Sequence, residues 1–525
     1  MKLILSNHFM SNIWIKKPIS AYEAEMKKSE LKRVLGKWSL TAIGVGAIIG
    51  GGIFVLTGTG AYYHAGPALA LSFVVAGIAC IFAALCYAEF SSIIPVEGSA
   101  YAYAYGTVGE IFAWGLGWCL ILEYAMASMA VAVSWSGYFN KFLKMFGVHL
   151  PDYLTNDPIS YTGEGFSMNL PAFVIVLLIT ALVAKGTKEA AKTNNLIVLL
   201  KTSAVVFVVV VGAFYVIPDN WIPFIPEEKT LVMPNGEEAS AYGLHGIISG
   251  AAAIFFAYIG FDAVSTQAGE AINPKKDVPF AIIASLLICT VLYIAVSLVL
   301  TGMMDYRLFD PQGPYPEAIK APVAYAFEVA GKHWASNIIT IAATVGLISV
   351  IMVMIMGQSR IFMGMSKDGL IPKFFGEVNP RTQTPVKGIV LLGCVVSVVA
   401  SMTPISTLAH MTSFGTLFAF TMVCIAVWVL RRKEPNLIRP FKVPFVNVIV
   451  ACGVLINIYL IITLDKLALQ LSFIWVVLGI IVYFLYSKKH SKLQNGGFGE
   501  TFKAEQQPLE DIEIDIDNKE PDSKD

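Results

Sequence analysis

The sequence predicts an all-α integral membrane protein, and three observations support that prediction. Of the 525 residues, 56% are hydrophobic and 14% are charged, whereas about a quarter of the residues in a soluble domain are charged. The mean hydropathy is +0.67. The apolar residues also fall in long runs, and a run of about 17 residues or more can cross the ~30 Å hydrocarbon core of a bilayer as a helix.

Twelve apolar runs reach that length, and each is predicted to be one span. They lie near residues 39–62, 66–94, 103–136, 169–186, 194–217, 243–268, 279–303, 335–358, 386–402, 406–430, 443–463 and 470–486. The first five spans occupy 39–217, the next five 243–430 and the last two 443–486. Residues 1–38 are predicted to be a charged leader, and 487–525 a polar, acidic, disordered tail. The formal net charge is zero, which suggests no nucleic-acid partner.

The basic residues predict the orientation of the chain. Most Lys and Arg residues fall in the leader, the tail and alternate connections, as in the run Arg431-Arg432-Lys433. Cytoplasmic connections of membrane proteins carry an excess of Lys and Arg. The sequence therefore predicts a multi-pass protein of the plasma (inner) membrane with both termini in the cytoplasm.

The first span contains the most unusual stretch of the chain, with glycine at 44, 46, 50, 51 and 52. Each glycine inside a helix costs about 1 kcal/mol relative to alanine, so the helix is predicted to break at Gly50–Gly52. Helices broken at membrane depth build the substrate sites of many transporters. The alternative is a close helix–helix contact of small residues.

The sixth span repeats this pattern. Small residues at 250–253 lead to Gly260, and Asp262 follows. Spans one and six begin two successive sets of five, and because five is odd the second set enters the membrane from the opposite side. Interrupted helices at matching positions of two inverted halves predict a substrate site between them.

Four ionisable residues fall inside predicted spans, where a buried charge needs a partner or a function. Glu89 and Asp262 are placed near span ends and are interpreted as structural. Lys201 lies about 10 Å inside span five, where its ammonium is predicted to donate to carbonyls freed by the broken first helix and to carry a proton. The alternative is that its side chain reaches back to the interface. Glu123, deep in span three, is either a fixed acceptor or a second titrating group.

Several stretches closely resemble the amino acid–polyamine–organocation superfamily, and within it the cationic amino acid transporter family in its bacterial form. They include GVGAIIGGGIFVLTG (44–58), FAALCYAEFSSIIPVEGSAYAYAY (82–105), FFAYIGFDAVSTQAGEAINPKKDVP (255–279) and GQSRIFMGMSKDGLIP (357–372). The resemblance covers roughly 30–490. It implies a LeuT-like 5+5 inverted repeat with two extra helices, and transport of L-amino acids by alternating access.

The resemblance also implies which residues bind substrate. The family's contacts to the substrate backbone fall on Ile48, Ile49, Gly50, Gly51, Gly52, Phe256, Ala257, Tyr258 and Ile259. The N–H groups at the start of a half-helix suit the carboxylate, and carbonyls suit the ammonium. The family's span-five lysine matches Lys201, which favours proton over sodium coupling. Gly51 stands where Thr or Ser is frequent, and Cys119 where an acidic residue sometimes occurs.

The resulting prediction is a proton-coupled importer of L-amino acids, with an exchanger of amino acids or polyamines as the alternative. We find no nucleophile–base pattern, phosphate loop or metal-spaced pair, so no enzyme activity, cofactor or metal is predicted. Met354, near the end of span eight, is expected to face the substrate side chain. A thioether there disfavours a desolvated cation, so neutral substrates such as alanine are expected. The sequence does not address oligomeric state or a small accessory subunit.

Overall fold

The computed structural model describes residues 14–17, 35–93, 99–161, 163–233, 238–382 and 384–495. The α-helices of eight or more residues are numbered α1–α14. They are α1 (Lys37–Ile48), α2 (Leu69–Ile93), α3 (Ser99–Thr107), α4 (Glu110–Lys144), α5 (Leu170–Lys185), α6 (Thr187–Gly212), α7 (Gly243–Ile254), α8 (Pro274–Met303), α9 (Pro322–Val329), α10 (His333–Lys367), α11 (Val386–Met402), α12 (Ile405–Lys433), α13 (Val446–Ile462) and α14 (Lys466–Val482). Two short antiparallel strands, β1 (Lys229–Val232) and β2 (Glu238–Ala241), pair between α6 and α7.

Helices lie along each of the twelve predicted apolar runs. In the described part of the chain, eight helical stretches are long and apolar enough to cross a membrane, and α5, α11 and α13 are shorter apolar helices. The protein is therefore a multi-pass helical membrane protein. Which helices complete a crossing remains a prediction.

The third predicted span has different limits in the structure. The predicted run 103–136 begins inside the separate helix α3, and the long helix α4 starts at Glu110 and continues to Lys144. Gly109 separates the two helices with φ +140°, a conformation that favours glycine. A Cβ at this position would also lie 2.7 Å from the Trp14 carbonyl oxygen. The turn is thus fixed by backbone geometry that apolar runs do not reveal.

Two groups of four helices form the core. In one group α8 packs on α1 and α2, and α7 packs on α2. In the other α4 packs on α10, and α5 packs on α11. The helices α6 and α12 lie beside these groups, with α12 packed on α4 and α6 on α10. The helix interruptions described below lie where the two groups meet.

Aromatic side chains fix α14 against α4. Trp118 and Trp475 stack with ring centroids 4.5 Å apart. Each indole N–H donates to the backbone carbonyl of the other residue, at 2.8 and 3.1 Å. Gly479 provides the space, because a Cβ there would lie 2.4 Å from the Trp118 ring.

Part of the segment predicted to be a disordered tail is ordered. Residues 488–490 form a helical turn, and Ser491 and Gln494 both donate to the buried carboxylate of Glu110. Residues 496–525, and most of the predicted leader, lie outside the described residues.

Candidate functional site

The first interruption follows α1. The helix ends at Ile48, Ile49 is extended with φ −67° and ψ 102°, and a π-helical turn starts at Gly52. The last carbonyls of α1 and the first N–H groups of the next helical stretch have no partners within their own helices. Polar backbone groups of both kinds are thus present inside a buried, apolar region.

The second interruption follows α7. A 3-10 turn spans Phe255–Tyr258, Ile259 is extended, and a second 3-10 helix begins at Asp262. Gly260 joins them with φ +119°. A Cβ on Gly260 would lie 2.8 Å from the Ala47 carbonyl, so glycine is needed both for the conformation and for the close approach to α1.

The two interruptions are in direct contact. A Cβ on Gly52 would lie 2.3 Å from the Cα of Ala257. The Tyr293 hydroxyl of α8 lies 2.9 Å from the Ile48 carbonyl oxygen and 2.9 Å from the Ala257 carbonyl oxygen. A hydroxyl donates one proton at a time, so one of these two carbonyls is available to another donor.

A small cavity adjoins the interruptions. Its volume is about 10 Å³, close to the space needed for one water molecule. It is lined by Ala47, Ile48, Gly50, Gly51, Gly52, Ala127, Val131, Phe256, Ile259, Val350 and Met354. None of these lining side chains is charged or carries a hydroxyl.

The cavity contains most of the predicted site residues and four further ones. Ile49, Ala257 and Tyr258 were predicted to contact substrate but do not line it. The Tyr258 hydroxyl instead donates to the Phe73 carbonyl at 2.7 Å.

Ala47, Ala127, Val131 and Val350 were missed by sequence reasoning. Val131 and Val350 each lie four residues from another lining residue of the same helix, Ala127 and Met354 respectively. This i, i+4 spacing was a signal only for Val350, because Met354 was itself a predicted site residue.

Lys201 connects α6 to α1 and α10. Its side chain is fully buried, and its ammonium donates to the Gly46 carbonyl near the end of α1. It also donates to the Ser349 hydroxyl at 2.8 Å, which in turn donates to the Gly346 carbonyl. The contact expected between Lys201 and the end of the first helix is present, whereas its role in proton coupling remains a proposal.

Two buried carboxylates lie near the second interruption. Asp262 accepts a hydrogen bond from the Tyr124 hydroxyl at 2.9 Å. Glu123 is 1% exposed, and neither of its carboxylate oxygens has a hydrogen-bond partner within the described part of the chain. The Thr416 hydroxyl nearby donates instead to the Thr412 carbonyl. A buried carboxylate without donors is costly as an anion, so Glu123 needs a proton or water at its oxygens.

Glu89 has a different environment. Arg431 donates to both of its carboxylate oxygens, at 2.8 and 2.6 Å, and the Val443 N–H donates at 2.8 Å. Arg439 lies 3.3 Å away. These contacts join α2 to the end of α12 and agree with the structural role expected for Glu89.

Comparison with known proteins shows the family. The family model described as amino acid permease matches residues 35–485. The chain belongs to the amino acid permease family. This permease is therefore a transporter of the amino acid–polyamine–organocation superfamily and not an enzyme, and its family supports amino acid transport as the function.

Among its relatives, two Bacillus subtilis (strain 168) proteins are similar over almost their whole length. One, named methylthioribose transporter, is 45% identical over 92% of this chain and 100% of its own. The other, named branched-chain amino acid permease BcaP, is 46% identical over 89% of this chain and 95% of its own. Cationic amino acid transporter 4 of Arabidopsis thaliana is 37% identical over 78% of this chain and 64% of its own.

Proposed function

We propose that this permease imports L-amino acids across the plasma membrane by proton symport, with alternating access through a twelve-span LeuT-like 5+5 inverted repeat. In this proposal the two interruptions are the broken first and sixth spans, and both termini are cytoplasmic. The grouping of the helices supports the inverted repeat. The first, second, sixth and seventh spans form one group, and the third, fourth, eighth and ninth form the other.

The observation that carries the proposal is the meeting of the two interruptions at Tyr293. Two backbone carbonyls, from Ile48 and Ala257, converge on one hydroxyl at 2.9 Å. A substrate ammonium has three donors, so it can satisfy both carbonyls where the hydroxyl satisfies one. The N–H groups at Gly50–Gly52 begin the next helical stretch and suit the carboxylate. The pair of interruptions thus matches the part that all amino acids share.

The walls of the cavity favour a small neutral side chain. Ala127, Val131, Phe256, Val350 and Met354 present only apolar groups. A guanidinium or ammonium buried against them would lose water without gaining a partner. A cavity of about 10 Å³ also requires these walls to separate when a substrate enters. We therefore propose alanine and similar amino acids as substrates, with arginine and lysine weaker.

Lys201 and Glu123 are the proposed proton carriers. Protonation of Lys201 would maintain its contact with the Gly46 carbonyl next to the break, and proton loss would weaken it. This links the charge of one side chain to the position of the first half-helix. Glu123 is the second candidate because its oxygens have no donor in the described structure.

Two alternatives have support. Exchange of amino acids or polyamines would use the same site without net proton movement. Transport of methylthioribose is suggested by the name of one relative, but a thiosugar carries several hydroxyl groups and the cavity walls offer them no side-chain partner.

Competition for uptake tests the substrate proposal. Vesicles containing the protein take up labelled alanine in the presence of excess unlabelled alanine, leucine, arginine or methylthioribose. We expect alanine to compete strongest, leucine less and arginine weakly, with no effect of methylthioribose. Stronger competition by arginine than by neutral amino acids would show that an acceptor such as Glu123 governs selectivity. If methylthioribose blocked uptake and none of the unlabelled amino acids did, amino acid transport would be contradicted.

A further inference from the structure

A second cavity lies at the opposite end of α4 from Glu110, on the proposed outer face. Its volume is about 160 Å³, much larger than the cavity at the interruptions. Three parts of the chain form its walls: the last turns of α4, the loop at 149–155, and the loop at 317–325 that includes the start of α9. A space of this size holds several water molecules or one small organic solute.

Most of the charges around this cavity are already paired. Lys144 lies 2.5 Å from both carboxylate oxygens of Glu317, and the Tyr325 hydroxyl donates to the same carboxylate at 2.8 Å. Lys141 pairs with Glu328 and lies 3.5 Å from the centre of the Tyr325 ring. These contacts fix the walls of the cavity, so its shape does not depend on a ligand.

Lys320 is the exception. Its hydrogen-bond partner in the described structure is the neutral amide oxygen of Asn156, at 2.8 Å, whereas the nearby carboxylates of Glu317 and Asp152 act on it through space. Lys320 is an exposed residue, but protein packed around its ammonium removes part of the solvation and lowers the pKa of Lys320, although Glu317 and Asp152 act in the opposite direction. The cavity wall therefore carries a cation whose charge is incompletely neutralised.

Two further acceptors, Asp152 and Asn140, belong to the lining. Asp152 opens a short 3-10 helix in the 149–155 loop, is exposed, and is near enough to influence the charge of Lys320. Asn140, on the α4 wall, has a side-chain oxygen with no hydrogen-bond partner in the described part of the chain. A cation and a carboxylate around one polar space complement the two charges of a zwitterion.

We propose that this cavity is a second, weaker binding site for free α-amino acids, with the carboxylate on Lys320 and the ammonium on Asp152. The site would gather substrate at the outer face, apart from the central site. This inference rests on the proposed function in taking an amino acid as the solute. It does not depend on the direction or coupling of transport.

Equilibrium binding of labelled alanine to the purified full-length protein tests this inference. The wild type should show a tight component and one at least tenfold weaker. Lys320→Met and Asp152→Asn should lose the weak component and keep the tight one, and the retained tight component shows that each variant is folded. Lys320→Arg should keep both components. Lys332→Met is the matched control, because Lys332 follows the same loop but lies over the Tyr215 ring, away from the cavity.

Gly50→Val tests the opposite case, in which the central site is lost and the outer site is kept. A Cβ there meets Val350 at an ordinary 3.5 Å, so the fold is expected to persist, checked by gel filtration, while the added methyl groups fill the central cavity. This variant should lose the tight component and keep the weak one.

The inference would be overturned if Lys320→Met kept the weak component, or if folded Gly50→Val lost it. It would also be overturned if acetate displaced labelled alanine from the weak component as effectively as unlabelled alanine does. If the wild type imported no amino acid but Gly50→Val still bound alanine through Lys320, the proposed function would fail and this site would stand.

Discussion

Both interruptions have a buried ionisable group beside them, but the two groups differ in charge and in hydrogen bonding. Near the end of α1, the Lys201 ammonium reaches a backbone carbonyl and a hydroxyl. Beyond the end of α7, Asp262 has one tyrosine donor and the neighbouring Glu123 has none in the described structure. The basic group is held in place by two acceptors, whereas on the acidic side Glu123 has no donor in the described structure.

This difference suggests separate tasks for the two sides. A held ammonium couples its charge to the position of one half-helix, because the charge-assisted hydrogen bond to the Gly46 carbonyl weakens when the amine loses its proton. A carboxylate without donors is suited to take up and release a proton as the pathway opens to water. We infer that Lys201 links its protonation to the position of the first half-helix and that Glu123 is the second proton carrier.

The largest expected effect concerns the contact between the interruptions. Gly52→Val should abolish uptake, and Gly52→Ala should reduce it more than tenfold, because any Cβ there collides with Ala257. Gly50→Ala should stay within about twofold of wild type, whereas Gly50→Val should block transport. Gly36→Ala is the control at the start of α1, where a Cβ meets nothing within 4 Å. Initial uptake rates, corrected for expression, measure these effects. Normal transport by Gly52→Val would mean that the site is misplaced.

Removal of the basic group is expected to have the next largest effect. Lys201→Ala should leave a folded protein whose residual uptake, at least tenfold reduced, no longer rises as external pH falls. Lys185→Ala, which changes an exposed lysine at the end of α5, should behave as wild type. Uptake as a function of external pH provides the measurement. A Lys201→Ala variant with an unchanged pH profile would remove Lys201 from the coupling mechanism.

Glu123→Gln should have a smaller effect. An amide fits where a neutral carboxyl fits, so we expect unchanged stability, a several-fold loss of uptake and a flatter pH profile. Glu89→Gln is the informative contrast, because it weakens charge-assisted bonds to Arg431, each worth about 1.5–3 kcal/mol and less where that arginine is exposed. It should lower the thermal midpoint without changing the pH profile. A lowered thermal midpoint in Glu123→Gln, together with a flatter pH profile in Glu89→Gln, would exchange the roles assigned to the two glutamates.

The smallest expected change in alanine uptake belongs to Met354→Ser, on the wall shared by both interruptions. It should alter alanine uptake by less than about threefold while admitting larger or basic amino acids, because the shorter polar side chain widens the apolar cavity. Met356→Ser, two residues along the same helix and outside the cavity lining, is the control. Competition by arginine in both variants is the measurement. Equal arginine competition in the two variants would remove Met354 from selectivity.

The sequence predicted the helices and their interruptions, because apolar composition marks the helices and the backbone of the interruptions requires glycine. Long apolar runs anticipated the positions of the helices, and glycines marked both interruptions because Gly51, Gly52 and Gly260 need close approach or positive φ. Lys201 stood out as a cation deep in an apolar run.

The remaining residues of the site could not be predicted from the sequence in this way. Ala127 and Val131 belong to a long helix with weak amphipathic periodicity, so periodicity does not indicate the face that meets the cavity. The donors around Glu89 and their absence around Glu123 depend on residues hundreds of positions apart, such as Arg431. Only the packed structure brings these groups together.

Proton-driven uptake into proteoliposomes tests the central claim most directly. Vesicles with an alkaline interior and no sodium should accumulate labelled alanine several-fold above the external concentration, and a protonophore should abolish this accumulation. Replacing external potassium by sodium at constant pH should change nothing. Accumulation that required a sodium gradient, or uptake seen only when the vesicles are preloaded with an amino acid, would contradict proton symport.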